Sequence, residues 1–166
     1  MIKKFLLPII LLLAMPAFAD EPMLPPSLWE TCSRNGAHCA TLDPDANRIT
    51  VRRTGEAGEV LWSADGWSRV AALADDGEHL VLGYEGMNLI PVDYDKDMAM
   101  LTFYRRGSVI AVVRLRDIAG WLNLRRTASH YYWGDYLGLD ADGYYVVRVS
   151  RGGEIRFDMT TGQQVR

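Results

Sequence analysis

The densest group of side chains able to do chemistry runs from Thr127 to Tyr136, reading Thr-Ala-Ser-His-Tyr-Tyr-Trp-Gly-Asp-Tyr. It holds His130, one of three histidines in the chain, close in sequence to Ser129 and Asp135. An imidazole titrates near neutral pH and can move protons. Tyr131, Trp133 and Tyr136 offer faces on which a sugar ring or a side chain can stack. His130, Tyr131, Trp133, Asp135 and Tyr136 are therefore the candidate ligand-binding residues. A Ser-His-Asp triad is disfavoured, because neighbours in an extended strand point to opposite faces and Ser129 could not share a proton with His130. There is no Gly-x-Ser-x-Gly elbow. No residue is assigned a catalytic role. The competing reading is a strand whose alternate aromatics enter the core while the others flank the sheet.

Cys32 and Cys39 are the two cysteines. Their spacing matches neither a Cys-x-x-Cys redox site nor a common zinc knuckle with His38, so a structural disulfide is expected. Asn35-Gly36 between them is a favoured hairpin centre that would bring the flanking strands together. Two acidic runs, Asp43 to Asn47 and Asp93 to Asp97, place oxygens at alternate positions as calcium loops do. Each lacks the required glycine, having Arg48 or Met98 there, and each lacks the closing glutamate, having Thr54 or Tyr104. Ordinary turns are expected at both, and no metal or organic cofactor is called for. The stretch Gly83 to Pro91, carrying Glu85 and Asn88, follows no βαβ pattern and reads as a hairpin connection rather than a phosphate loop. Five tryptophans (Trp29, Trp62, Trp67, Trp121 and Trp133) complete the inventory, and two or three exposed together would mark a glycan or peptide surface.

The elements that must position these groups are short apolar runs bounded by turn residues, the signature of strands. Ile49 and Val51 alternate with polar neighbours, and Val60 to Trp62 precedes Asp65-Gly66. Leu80 to Leu82 follows Asp76-Gly77, and Met100 to Tyr104 turns through Arg106-Gly107 into Val109 to Val113. Tyr144 to Val149 follows Asp142-Gly143, and Gly152-Gly153 leads to Ile155 and Phe157. Asp-Gly and Gly-Gly between such runs are hairpin signals, because the turns need positive φ. Helical periodicity is confined to Arg116–Leu124, where Ile118, Trp121 and Leu122 share a face and Gly120 weakens it. The expected fold is all-β, an antiparallel meander that is propeller-blade-like or a sandwich, with at most one short helix near 116–124.

A weak repeat sets Ala72 to Gly77 and Leu80 to Leu82 beside Leu139 to Gly143 and Tyr145 to Val147, with Gly77 and Gly143 66 residues apart. With the carboxyl-terminal Asp158-Met159-Thr160-Thr161-Gly162, these units resemble blades of quinoprotein- and WD-type β-propellers. That resemblance implies four-stranded antiparallel units, but the chain is too short to close a ring of four or more blades. As a whole the chain resembles small exported proteins of Gram-negative bacteria, a likeness that implies no activity.

The amino terminus sets the address. Lys3-Lys4, an apolar stretch from Phe5 to Met15, and Ala17-Phe18-Ala19 form the three parts of a cleaved export signal, with cutting after Ala19. Eleven residues rise under ~20 Å, short of the roughly 30 Å hydrocarbon core, so no retained anchor is expected. Position 20 is Asp, not the cysteine a lipoprotein needs. The expected organisation is a signal over residues 1–19, a Pro-rich lead-in over 20–27, and one β-rich domain over 28–166. Losing Lys3 and Lys4 takes the formal charge from −3 to −5 and leaves 147 residues, one domain's length. An acidic surface with no basic stripe excludes nucleic acid as a partner. The expected function is a soluble binding or protein-interaction module of the periplasm, or a secreted one. Its partner would be another envelope protein or a small, peptide or glycan ligand. The alternatives are an envelope hydrolase using His130 with Asp135 or Glu85, and a structural or immunity-type accessory acting by strand addition.

Overall fold

The computed structural model describes residues 23–55 and 58–165. The expected export signal and residues 20–22 of the lead-in lie outside the described residues. Residues 23–27 carry no regular secondary structure. The first sheet is an antiparallel meander of β1 (Trp29–Cys32), β2 (His38–Asp43), β3 (Arg48–Arg53) and β4 (Val60–Asp65). The second is built from β5 (Ala71–Leu73) and β6 (His79–Gly83). After β7 (Leu89–Ile90), which belongs elsewhere, it is completed by β8 (Ala99–Arg105) and β9 (Ser108–Arg114). A four-residue helix α1 (Leu115–Ile118) and a 3-10 turn (Trp121–Asn123) follow, broken apart at Ala119-Gly120. Next come β10 (Arg125–Arg126) and β11 (Tyr131–Tyr132), which pair with β7 in a small sheet. The last meander is β12 (Gly134–Leu139), β13 (Tyr145–Val149), β14 (Glu154–Phe157) and β15 (Gln164–Val165). The fold is all-β and antiparallel throughout.

Each large sheet opens with the same kind of turn. In the β1–β2, β5–β6 and β12–β13 hairpins the amide of Gly36, Gly77 or Gly143 donates to the carbonyl three residues back, on Ser33, Ala74 or Asp140. All three glycines have φ between 68° and 88°, a conformation that penalises any side chain. Asp76 and Asp140 cap their turns by accepting backbone N–H groups of His79 and Tyr144. The Asp-Gly repeat read from the sequence therefore occupies equivalent positions in two sheets, and Asn35-Gly36 supplies the third. Cys32 and Cys39 are directly opposed across the first hairpin and form the disulfide.

The three meanders pack as layers, with the second sheet in the middle. Leu73, Leu80, Leu82 and Tyr104 face the first sheet and meet Ala40, Leu42, Ile49, Val51 and Trp62. Val81, Leu101, Phe103 and Val113 face the other way, toward Tyr145, Val147, Val149 and Phe157 of the last meander. A strand covered on both faces has no polar side, which explains the unbroken apolar run of β6. Each such Leu or Val contributes roughly 1.5–3 kcal/mol by leaving water. Ile90, Leu115, Ile118, Leu124 and Trp133 fill the second of these cores from the small sheet and the helical turns.

The outward faces of the stack are polar. On the first sheet Glu30, Thr41, Thr50 and Ser63 stand in one cross-strand row. On the last, Arg148 pairs with Glu154, and Arg156 with Asp140 and Asp142.

Candidate functional site

The aromatic segment 127–136 is not one strand. β11 ends at Tyr132 and pairs with β7, β12 begins at Gly134, and Trp133 lies between them. The amide of Trp133 donates to Asn88 O and its indole N–H to Met87 O. Both partners belong to the Gly83–Pro91 stretch. That stretch is therefore not a plain hairpin connection, since its β7 pairs with β11 rather than with β6.

The five predicted residues consequently part company. Trp133 is 0% exposed and edge-on to Tyr136 at 4.9 Å, so its ring serves packing. Tyr131 is half-buried against Tyr94, with the Arg126 guanidinium over its ring. His130 sits in the turn before β11, and Ser129 Oγ lies 2.8 Å from its Nδ1. The expectation that these neighbours cannot share a proton fails, because Ser129 is in a bend and the opposed geometry of a strand does not apply. Asp135 accepts from the Tyr132 hydroxyl, an interaction that with burial raises the tyrosine's pKa. Tyr136 donates to Met100 O at 3.0 Å and accepts from the Tyr84 amide at 2.7 Å. Burial pushes its pKa far above the ordinary phenol value, so it stays a neutral structural hydroxyl.

Asp135 and Tyr136 come together with residues not singled out as a group in the sequence. β1, β5 and β12 are the first strands of the three meanders, and each is an edge strand. They line a groove of about 420 Å³ with Trp29, Arg69, Val70, Ala71, Met87 and Leu137 among its walls. It continues into a second hollow of about 340 Å³ through the shared Trp29, Arg69 and Met87, where Trp67, Leu24 and Met23 add apolar surface. Two of the five tryptophans thus share one partly open surface, while Trp62 and Trp133 are core.

Local chemistry sets this wall. Ser68 is 1% exposed and fully engaged. Its hydroxyl donates to Gly83 O and accepts from the Val70 amide, while its carbonyl accepts from the Trp29 indole. Pinning Ser68 inward leaves its neighbours Trp67 and Arg69 to line the groove, with the Arg69 guanidinium 5.2 Å from the Trp67 ring centre. Gly83 allows close approach: a methyl there would lie 2.9 Å from both Tyr136 and Val70.

The remaining candidates resolve as structural. Asp43 Oδ1 accepts the amides of Asp45 and Ala46, and Asp95 accepts that of Asp97, which itself pairs with Arg116. Glu30 lies beside Cys32 and Cys39, but sulfurs joined to each other cannot bind a metal as thiolates. Among the described residues no helix is long and apolar enough to cross a membrane. No family model and no curated protein matches the chain.

Proposed function

We propose that the protein is a non-enzymatic binding module, exported to the periplasm, which holds its ligand in the groove between the first strands of the three meanders. The observation that carries this reading is the convergence of Trp29, Arg69 and Met87 on two adjoining, partly open hollows, one completed by Trp67 and the other by Tyr136. Its size falls in the roughly 300–1,000 Å³ range of ligand sites, with apolar walls and few polar groups. The disulfide and the export signal read from the sequence agree on an oxidising address. Three four-stranded meanders whose first strands face one hollow also support reading the fold as an open, propeller-like arrangement of blades.

The test is capture from an envelope extract by the wild-type protein and by a Trp67→Ala, Leu137→Glu variant, first shown to unfold cooperatively in urea because Trp67 also packs against the first core. A partner retained by the first and lost by the second is expected. A partner held equally by both would remove the groove from the function.

A second reading, strand addition, has its own support. β9 is seven residues long, forms the far edge of the middle sheet, and exposes Val109, Ile110 and Val112. An open edge of this kind accepts an extended chain.

A further inference from the structure

We infer that the groove recognises the carboxyl terminus of a peptide, with Arg69 as the anchor for the carboxylate and the Trp29–Trp67–Met87 wall receiving the last apolar side chain. This rests on the groove being the binding site. The argument starts from charge. Two charged residues line the joined hollows, Arg69 and Asp135. Asp135 is engaged: its carboxylate accepts from Tyr132, and Arg148, its cross-strand neighbour, lies close enough to interact with it. Arg69 has no carboxylate partner among the described residues, and its Nε is buried without a hydrogen bond. The Trp67 ring lies beneath it.

A half-enclosed guanidinium that lines a groove with no protein carboxylate beside it favours a ligand anion that supplies acceptors in its plane. A carboxylate fits that fork with two parallel bonds. The rest of the groove selects what the carboxylate is attached to. Leu24, Trp29, Trp67 and Met87 form an apolar surface beside the arginine, suited to a neighbouring hydrophobic side chain. Ala71 of β5 and Asp135 to Gly138 of β12 line the groove, and both are edge strands whose outer sides pair with no further strand. Such edges complement the N–H and C=O groups of an extended peptide. Charge, apolar pocket and strand edge together describe a peptide end.

Two pools of N-acetylated tetrapeptides, randomised over Ala, Leu, Phe, Tyr and Trp, test this. One pool ends in a free carboxylate and the other in a carboxamide. The readout is the indole N–H resonances of the intact exported protein, with Trp62 and Trp133 reporting on the cores. The free-acid pool should shift Trp29 and Trp67 at concentrations at least tenfold lower than the amide pool, leaving the core signals in place. Arg69→Gln should erase the preference, and Arg69→Lys, which keeps the charge and loses the fork, should reduce it. Equal shifts from both pools would overturn the carboxylate anchor while leaving the groove as the site. No shift from either pool at millimolar concentration would overturn both. A free-acid preference that survives Arg69→Gln in a folded protein would overturn the assignment of Arg69.

Discussion

The middle sheet ends in two edge strands of similar apolar composition and opposite fate. β5, Ala-Ala-Leu, packs beside β1 and opens onto the groove, with Leu73 buried and Ala71 and Ala72 half-buried. β9, Ser-Val-Ile-Ala-Val-Val-Arg, keeps Val113 in the core but leaves Val109, Ile110 and Val112 open. Register explains the difference. Val109 and Val112 share a face with Tyr104 and Thr102, the side that meets the first sheet, and that sheet does not extend to cover β9. A bulge at Ile110 shifts the register of β9 against β8 at this point. Burial along a sheet is thus decided by the reach of the neighbouring layer as much as by the strand's own residues.

Substitutions can break this comparison, and the largest effect belongs to the groove side. Trp133→Ala removes the buried ring that supports Tyr136 behind β12, and should cost about 3–5 kcal/mol in urea unfolding. A loss under 1 kcal/mol would mean that the groove wall is not built on the core. Replacing both cysteines with serine frees the β1–β2 hairpin and should cost about 2.5 kcal/mol, the chain-entropy value for so short a loop. Matched denaturation curves for reduced and oxidised wild-type protein give the same comparison without mutation.

Acid should act on the turns that hold both edges. Asp76, in the turn between β5 and β6, is pulled up by burial, but hydrogen bonds from the His79 ring and the Glu78 and His79 amides win and hold it below the ordinary 3.8. Asp158 is lowered mainly by the Thr160 hydroxyl, in a turn whose Gly162 packs on Ala111 of β9. A carboxyl with a depressed folded pKa binds fewer protons folded than unfolded. Its stabilisation is complete by about pH 5 and drains as pH falls through the folded value. Stability measured from pH 5 to pH 2 should fall in that window, and Asp76→Asn should flatten part of the slope. The smallest effect is expected at Val112→Lys, within about 0.5 kcal/mol of wild type because the side chain lies on the exposed face of an edge strand. If strand addition operates, the same change should weaken association measured by light scattering.

Local chemistry was readable in the sequence, and convergence was not. The hairpins were legible because Asp76-Gly77, Asp142-Gly143 and Arg106-Gly107 each demand positive φ at glycine, and each supplies it. A short helix near Ile118 was legible, although the break at Gly120 places Trp121 and Leu122 in a separate 3-10 turn rather than on its face. The division of 127–136 was hidden, since alternating aromatics look like a strand until Trp133 bonds to Asn88 and Met87, far away in sequence. The groove was hidden for the same reason, being assembled from the first strands of three sheets. Its faint signal was Arg69, a lone cation between Trp67 and the apolar Val70-Ala71.

The polar rows on the two outward faces carry a consequence for growth. Hydroxyls and a glutamate on one side, and paired arginines and acids on the other, give a further layer no dry surface to adhere to. The strand edges, where β9 leaves Val109, Ile110 and Val112 exposed, are the less polar margins of the stack.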